Sequence, residues 1–516
     1  MTTLYPVLFY SGVGGGLLLL AMGSVPRLRM LCRPFAAFLF SLLACLWALA
    51  PQEGRWAFSV WSSATARGGQ FIFDISPALW GGGLILGLVF AGIAWFEVSR
   101  RDRGLVVDGV LGVMALLVLW ATLLSGSVLT LLAFWSVADL VWCVAGLISG
   151  EDGERVIFGV AVRGLTTLVV WGVSLYQLRD GTSELWWLMQ PRESMLHLLY
   201  FAALIRVGPY PFQIVFPRDP EQSQILRLVQ LTGMFSGVAL LFRLLRLPMS
   251  SIPPAGYITW LIGSALWCGL MGLIIDGRRA LLWVGYAVHL ALIASVLKAG
   301  AADSMVWVLA GWAGAMALLM LYVGWERRAV FMAWPALVAL LFVLGVPPSP
   351  IGGMLAGFLT QAGWANRLML ICALTLAAWA AFEALAVRTE ARTMAPWVWL
   401  RVAAGAGVGL ILGGLVGVSR LAPLSWPAPA GAALWLSSIV LGGIAAHWGG
   451  QARAWIRRRA SWFSIIDLEW LYRALWQGAE HGLGLLRVAS SVVEGSGALV
   501  WSLLIVLLVL LVAGRL

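Results

Sequence analysis

The sequence predicts an all-α polytopic membrane protein with about 14–16 transmembrane helices. We expect two inverted five-helix repeats, then a C-terminal amphipathic segment and a final anchor helix. Three observations predict this fold. Hydrophobic residues make up 61% of the 516 residues and charged residues only 11%, which is typical of membrane proteins. Apolar runs of about 17–25 residues, each able to cross about 30 Å of hydrocarbon, recur along the chain. Two of these runs are interrupted by proline and glycine.

Sixteen predicted spans account for the apolar runs. They are expected to be helical because a helix satisfies its own backbone hydrogen bonds in lipid. The first run leads directly into Arg27 and Arg29 and is followed by further spans, so it indicates a first helix rather than a cleaved signal peptide. The spans lie at roughly 5–22, 33–50, 77–98, 104–124, 126–149, 155–177, 192–216, 221–245, 253–275, 279–299, 303–324, 329–362, 367–388, 397–419, 431–449 and 493–514.

Basic residues alternate between the loops. The loops after the odd-numbered spans carry arginines such as Arg27, Arg100, Arg278 and Arg327, whereas alternate loops such as 178–192 carry fewer. By the positive-inside rule, we expect the N-terminus outside, on the periplasmic face of a bacterial inner membrane, and the basic loops in the cytoplasm. The net charge of +11 therefore follows the topology. We expect contact with the lipid bilayer and none with nucleic acid.

Helix-breaking residues occur in corresponding positions of two spans. The seventh span contains Gly208, Pro209 and Pro211. The seventh and twelfth spans lie five apart and therefore cross the membrane in opposite directions. Matched breaks in two such spans indicate inverted repeats with ion sites at the breaks. Two unrelated proline kinks are the alternative. The twelfth span contains Gly345, Pro347, Pro348, Pro350, Gly352 and Gly353.

These features divide the chain into six regions. Between 450 and 492, apolar and charged residues alternate, which favours an amphipathic segment on the cytoplasmic surface or against a partner. The regions are N-terminal helices (1–103), the first repeat (104–248), the second repeat (249–392), C-terminal helices (393–449), the amphipathic segment (450–492) and the final anchor (493–516).

Neither cysteine nor histidine shows a metal-ligand pattern. The five cysteines are scattered with no CxxC pair, and the four histidines lack metal-ligand spacing. We therefore expect neither a metal site nor a disulfide in this chain. Lys298 is the single lysine among the 34 lysines and arginines, and it lies at the outer end of the tenth span, where a surface anchor is the simplest interpretation. A GC-rich genome, which encodes its basic residues mainly as arginine, would explain why the chain has so few lysines.

The seventh span carries the most specific motif. Residues 202–217 read AALIRVGPYPFQIVFP, which resembles the broken-helix signature A-L-I-K-S-A-Q-x-P-F-H-x-W-L-P of the antiporter-like subunits of respiratory complex I. Multisubunit Na+/H+ antiporters and membrane-bound hydrogenases share this signature. Pro211, Phe212 and Pro217 match it outright, whereas Arg206 replaces its lysine and Gln213 its histidine.

Further stretches resemble motifs of the same family in the same order, so the resemblance covers nearly the whole chain. Family members couple redox chemistry or an ion gradient to proton or Na+ movement, bind no cofactor themselves and work beside homologous subunits. The resemblance implies the same kind of partners here, and no cofactor and no catalytic site in this chain. The matching stretches are Phe134-Trp135 (F-W-E), Arg163-Gly164 (R-x-G), 276–282 (D-L-K-R-x-L-A), 345–348 (G-x-P-P), 467–473 (D-x-x-W-x-Y-R) and Glu494-Gly495 (E-G).

The resemblance implies an ion path in each half, and the first-half residues depart from it. A glutamate on the fifth helix is expected to pair with the broken-helix lysine, but Ser136 stands at the glutamate position. Asp139, three residues later on nearly the same helix face, is a substitute partner for Arg206 and also a candidate partner for Arg163. An arginine cannot donate protons at physiological pH. The pair is therefore either a structural ion pair or part of a modified path.

The remaining candidates are spread over three helices. The resemblance implies a histidine or lysine where Gln230 stands. His289 lies in the middle of the tenth span, where it is either a titratable group or a packing residue. Glu383 is the clear buried carboxylate nearby, and it is either a proton exit group or the partner of Arg367 or Arg401 near an interface. The family's lysine or glutamate after the second break is absent, since the positions are Met354, Leu355 and Ala356.

Two further arginines lie at plausible membrane depth. Snorkelling from a helix end is the expected explanation for Arg243, and Arg227 is expected near the cytoplasmic surface.

Three functional hypotheses follow. The first is a modified ion-translocating, antiporter-like subunit of a complex I-like assembly, redox-driven with NADH and quinone or related substrates, or of a cation/proton antiporter assembly. The second is a scaffold subunit of such a complex with no transport of its own. The third is a membrane partner in a non-redox assembly such as inorganic-carbon uptake, where arginines would favour an anion-related role.

Overall fold

The computed structural model describes most of the chain up to residue 459 and a few isolated positions beyond it. The predicted final anchor (493–516), most of the amphipathic segment, Pro217, Pro347 and Pro348 lie outside the described residues. The chain divides into two units, Met1–Arg458 and Arg459–Leu516, and every element below belongs to the first. The described ranges are 4–59, 70–99, 106–150, 153–179, 183, 185–213, 223–247, 255–275, 279–323, 333–346, 349–386, 398–422 and 429–459.

The predicted all-α polytopic fold is confirmed. In the described ranges, thirteen helices are long and apolar enough to cross a membrane. These thirteen are among the seventeen α-helices of the described ranges. The seventeen are α1 Leu4–Ser24, α2 Cys32–Leu49, α3 Pro77–Val98, α4 Val106–Leu123, α5 Val128–Ile148, α6 Gly153–Arg179, α7 Glu193–Val207, α8 Gln224–Leu245, α9 Ala255–Ile274, α10 Arg279–Ala299, α11 Ala302–Val323, α12 Ala333–Val343, α13 Pro350–Gln361, α14 Trp364–Ala386, α15 Val398–Leu421, α16 Pro429–Trp448 and α17 Gly450–Arg458.

A β-hairpin occupies a region that the span pattern treats as a loop. Strands β1 (Gly54–Ser59) and β2 (Gln70–Ile75) pair antiparallel. The hairpin is tied to the connection between α4 and α5, because the Asp74 amide donates to the Leu124 carbonyl at 2.8 Å and the Gly126 amide donates to the Ile72 carbonyl at 2.6 Å. The pattern of spans predicts only a loop between α2 and α3 and does not reveal this hairpin.

Both predicted breaks are present. Helix α7 ends at Val207, and Gly208 follows with a φ of +88°. Helix α12 ends at Val343, and Gly345 has a φ of +86°. The left-handed region disfavours other residues, so glycine ends both helices at little cost. Ser349 then caps α13 by accepting a hydrogen bond from the Ile351 amide at 3.2 Å. The predicted twelfth span is thus two half-helices, α12 and α13.

Helix packing recurs in two sets of helices. In the first set, α4 contacts α5 and α8, α5 contacts α6 and α8, and α7 contacts α6 and α8. In the second set, α9 contacts α10 and α14, α10 contacts α11 and α14, and the broken pair α12 and α13 contacts α11 and α14. Each contact therefore has a counterpart when α4–α8 are matched in order with α9–α14. This correspondence supports the predicted five-helix repeats, whose boundaries remain a prediction.

Candidate functional site

Four helices of the first set bring a charged cluster together inside the bundle. We call it the arginine cluster and define it as Asp139 on α5, Arg163 on α6 and Arg206 on α7. Arg206 lies two residues before Gly208, so the break in α7 positions its side chain. Arg163 and Arg206 are 1% and 0% exposed, and Asp139 is 8% exposed. Helix α8, which packs against α5 and α7, completes the walls around the cluster.

The central contact is a two-pronged ion pair between Arg206 and Asp139. Arg206 Nη1 lies 2.9 Å from Asp139 Oδ1, and Nη2 lies 2.6 Å from Oδ2. The guanidinium carbon sits 3.8 Å above the centre of the Trp135 ring. Bidentate charge-assisted bonds of this kind are among the strongest that side chains form.

Hydroxyl and carbonyl oxygens accept the remaining hydrogen bonds of the Arg206 guanidinium. As a result, each of its three nitrogens donates at least one hydrogen bond, and the group is fixed on every side. The additional acceptors are Thr166 Oγ1 at 2.8 Å from Nε, Ser236 Oγ at 3.2 Å from Nη1, and Thr167 Oγ1 at 2.6 Å and the Arg163 carbonyl at 3.2 Å from Nη2.

Arg163 shares the same carboxylate but is held much less completely. Its Nη1 lies 3.4 Å from Asp139 Oδ1, and its guanidinium carbon lies 4.4 Å above the Trp142 ring. Its Nε and Nη2 atoms are buried with no hydrogen-bond partner among the described residues. The cluster therefore contains two guanidinium groups and one carboxylate.

The other predicted residues lie outside the arginine cluster. Ser136 donates to the Leu132 carbonyl of its own helix at 3.0 Å. Gln230 donates to Ser149 Oγ at 3.3 Å, beyond the end of α5. His289 is fully buried against Trp312, with 4.3 Å between ring centroids, and neither of its ring nitrogens has a hydrogen-bond partner in the described ranges.

Glu383 is paired with a residue on α17. It forms an ion pair with Arg453 and accepts a hydrogen bond from Trp379 Nε1 at 2.5 Å. The expectation of Arg367 or Arg401 as its partner is therefore wrong. Arg367 instead donates to backbone carbonyl oxygens at the end of α13. The contact of Glu383 links α14 to the first turn of the predicted amphipathic segment.

Two arginines have different surroundings from those expected. Arg243 does not snorkel, because Nη1 lies 2.8 Å from Asp74 Oδ2 and its side chain is 2% exposed. Its Nη2 also donates to the carbonyls of Asp74 and Leu123. Arg227, expected near the surface, is fully buried and donates to Gln224 Oε1 at 3.1 Å. Helical spacing indicates ion pairs only between residues that are close in sequence. It does not reveal the pair of Arg243 with Asp74, because these residues lie 169 positions apart.

Solved membrane complexes contain chains with this fold. A chain of the Mrp complex from Dietzia sp. DQ12-45-1b is 17% identical with a TM-score of 0.73, and the match covers 100% of this chain and 62% of that one. A chain of the archaeal membrane-bound sulfane sulfur reductase is 14% identical with a TM-score of 0.68, covering 98% and 99%. A chain of Thermus thermophilus respiratory complex I is 17% identical with a TM-score of 0.61, covering 79% and 97%.

This chain has the fold of membrane subunits of those complexes. The resemblance inferred from the motifs is therefore confirmed at the level of fold. No family model matches the sequence, and no curated protein matches it either. The chain spans less than two thirds of the length of the Mrp complex chain. Among the described residues, no group of three or more His, Cys, Asp or Glu side chains is placed to hold a metal ion.

Proposed function

We propose that this chain is an antiporter-like membrane-arm subunit of a complex I-like or multisubunit cation/proton antiporter assembly, and that its first proton path has been replaced by a fixed ion cluster. The observation that carries this proposal is the bidentate pair between Arg206 and Asp139. An arginine stays charged at any physiological pH, so this side chain cannot pass protons on. Its role is to join α5, α6, α7 and α8 and to hold a permanent charge in the bundle.

Two further positions support a lost path. Gln230 cannot titrate, and it bonds Ser149 rather than a member of the arginine cluster. After the second break, helix α13 offers Met354, Leu355 and Ala356, none of which ionises. The scaffold role is therefore favoured over conduction by this chain.

Purification of the native complex in mild detergent, followed by mass spectrometry of the bound proteins, tests the assembly. We expect homologous membrane subunits that keep the broken-helix lysine, together with redox or antiporter subunits. Recovery of the chain alone, or with only soluble partners that carry no redox centre, would overturn the proposed assembly. The latter result would favour the non-redox alternative.

We also propose a bacterial inner-membrane location with the N-terminus outside. The hairpin, the α4–α5 connection and the segment before α7 meet at one end of the bundle, since the Trp186 amide donates to the Gly126 carbonyl. The arginine-rich helix α17 is assigned to the cytoplasmic side by the positive-inside rule. In a cysteine-free background, an impermeant maleimide should label Ser194→Cys in spheroplasts but Gln451→Cys only in lysed membranes. The reverse pattern would refute this orientation.

Ion translocation by a modified path is the second candidate function, and His289 favours it. A buried imidazole without a hydrogen-bond partner among the described residues is the kind of group that could exchange protons with water. Such a path would have to connect Asp139, His289 and Glu383.

Under the scaffold proposal, His289→Leu should leave proton flux unchanged and stability equal or slightly higher, because a buried polar ring is replaced by an apolar side chain of similar size. Flux is measured with pyranine trapped inside liposomes that contain the native complex, driven by a valinomycin potassium potential. Ser295→Ala on the same helix is the matched control. A flux that falls several-fold only in the His289 variant would establish conduction.

A further inference from the structure

The guanidinium of Arg163 has an unused edge in the interior of the protein. Its residue is 1% exposed, yet Nε and Nη2 have no acceptor in the described ranges. Nε–H and one N–H of Nη2 point the same way and form the two-donor fork with which arginine binds carboxylates and other anions. Leaving two donors of a charged group without partners in a buried position is costly.

The charges of the cluster do not balance. Asp139 supplies one negative charge to two guanidinium groups, and it is bonded closely to Arg206 and only at 3.4 Å to Arg163. The other groups that bond Arg206 are neutral hydroxyls and a carbonyl. One positive charge therefore remains uncompensated in the cluster. In a low-dielectric interior, a charge of this kind favours binding of a counter-ion.

Neighbouring residues shape the position of the Arg163 guanidinium. The Trp142 ring covers one of its faces at 4.4 Å. Helix α8 presents Gly233, where an added Cβ would overlap the Nη2 and Nη1 atoms. A glycine here lets the guanidinium lie directly against the backbone of α8. The group is already enclosed by helices of its own chain, so a partner's side chain would have to separate these helices to reach it. A small ion is therefore the acceptor that disturbs the packing least.

We propose that the Nε–Nη2 edge of Arg163 binds one small monovalent inorganic anion of the chloride type, which neutralises the arginine cluster. This site goes beyond the proposed function and does not depend on it. Binding an anion makes the cluster Asp139, anion, Arg163 and Arg206 neutral as a whole. It also gives the buried Nε and Nη2 donors of Arg163 the acceptor that they lack among the described residues.

The test is a chloride titration of the purified full-length chain in detergent, with sodium gluconate added to keep the ionic strength constant. The unfolding midpoint should rise and saturate with chloride or bromide. Arg163→Gln should abolish this dependence, and Arg246→Gln, which removes an arginine whose side chain is 39% exposed, should retain it. The same rise in gluconate alone would indicate screening and would overturn the site, as would an unchanged chloride response in Arg163→Gln.

A second measurement covers the case in which Arg163→Gln does not fold. Arg163→Lys keeps the charge but removes the fork, so equilibrium binding of radioactive chloride should weaken by about tenfold or more. No saturable chloride binding to the unmodified protein would refute the proposal. Co-purification of partner subunits is independent of this result, so failure of the anion site and failure of the proposed assembly are distinguishable.

Discussion

Asp139→Asn is expected to destabilise the protein by roughly 3–5 kcal/mol, the cost typical of removing one partner from a buried ion pair. The asparagine has nearly the same shape, but it leaves Arg163 and Arg206 buried together without a carboxylate. Both arginines bond Asp139 in the native protein. We expect a large fall in the yield of folded protein and in its unfolding midpoint in detergent. The control, Asp303→Asn, removes a pair with 59% and 39% exposed side chains and should have little effect.

A double variant separates a structural role of Asp139 from conduction. Asp139→Leu combined with Arg206→Met removes the pair and leaves one positive charge in the cluster, as in the native protein. Replacing a buried ion pair by apolar side chains is often neutral or stabilising, so this variant should recover much of the lost stability. Under the scaffold proposal its proton flux should equal that of the unmodified complex. If Asp139→Asn folds normally while the flux falls, the cluster is part of an ion path instead.

Much of the bundle could be predicted because membrane helices are governed by few rules. Length and hydropathy place the spans, and the matched breaks at Gly208 and Gly345 follow from glycine and proline alone. The partnership of Asp139 with Arg206 was accessible because buried charges must pair and few candidates exist in the first half. Whether the cluster or His289 carries ions stays a prediction.

Contacts between distant segments could not be predicted in the same way. The hairpin strands are short, and β-structure depends on the surface against which a strand packs, here the α4–α5 connection. Arg243 finds its acid in that hairpin, at a sequence separation of 169. Glu383 likewise pairs with Arg453, which lies on a short helix beyond two further spans. Helical spacing reveals partners on one face of one helix, so it does not predict pairs between distant segments such as these two.

The hairpin gives the second large expected effect. Asp74→Asn should destabilise the protein by about 1–3 kcal/mol and loosen the hairpin, because Arg243 would stay buried with only neutral oxygens as acceptors and no carboxylate to balance its charge. This destabilisation is smaller than the one expected for Asp139→Asn because the Asp74 side chain is 21% exposed. The measurements are the unfolding midpoint in detergent and the rate of proteolytic cleavage between the strands. Faster cleavage is expected because the Arg243 pair joins β2 to the end of α8.

Arg55→Gln is the matched control, because Arg55 lies 3.4 Å from the same carboxylate but its side chain is 58% exposed. Exposed pairs contribute little to stability, so this variant should differ from the native protein only slightly. Asp74→Asn combined with Arg243→Gln should cost less than the two single changes added together, because neither charge is then left without its partner. Equal effects of Asp74→Asn and Arg55→Gln would show that the buried pair does not hold the hairpin in place.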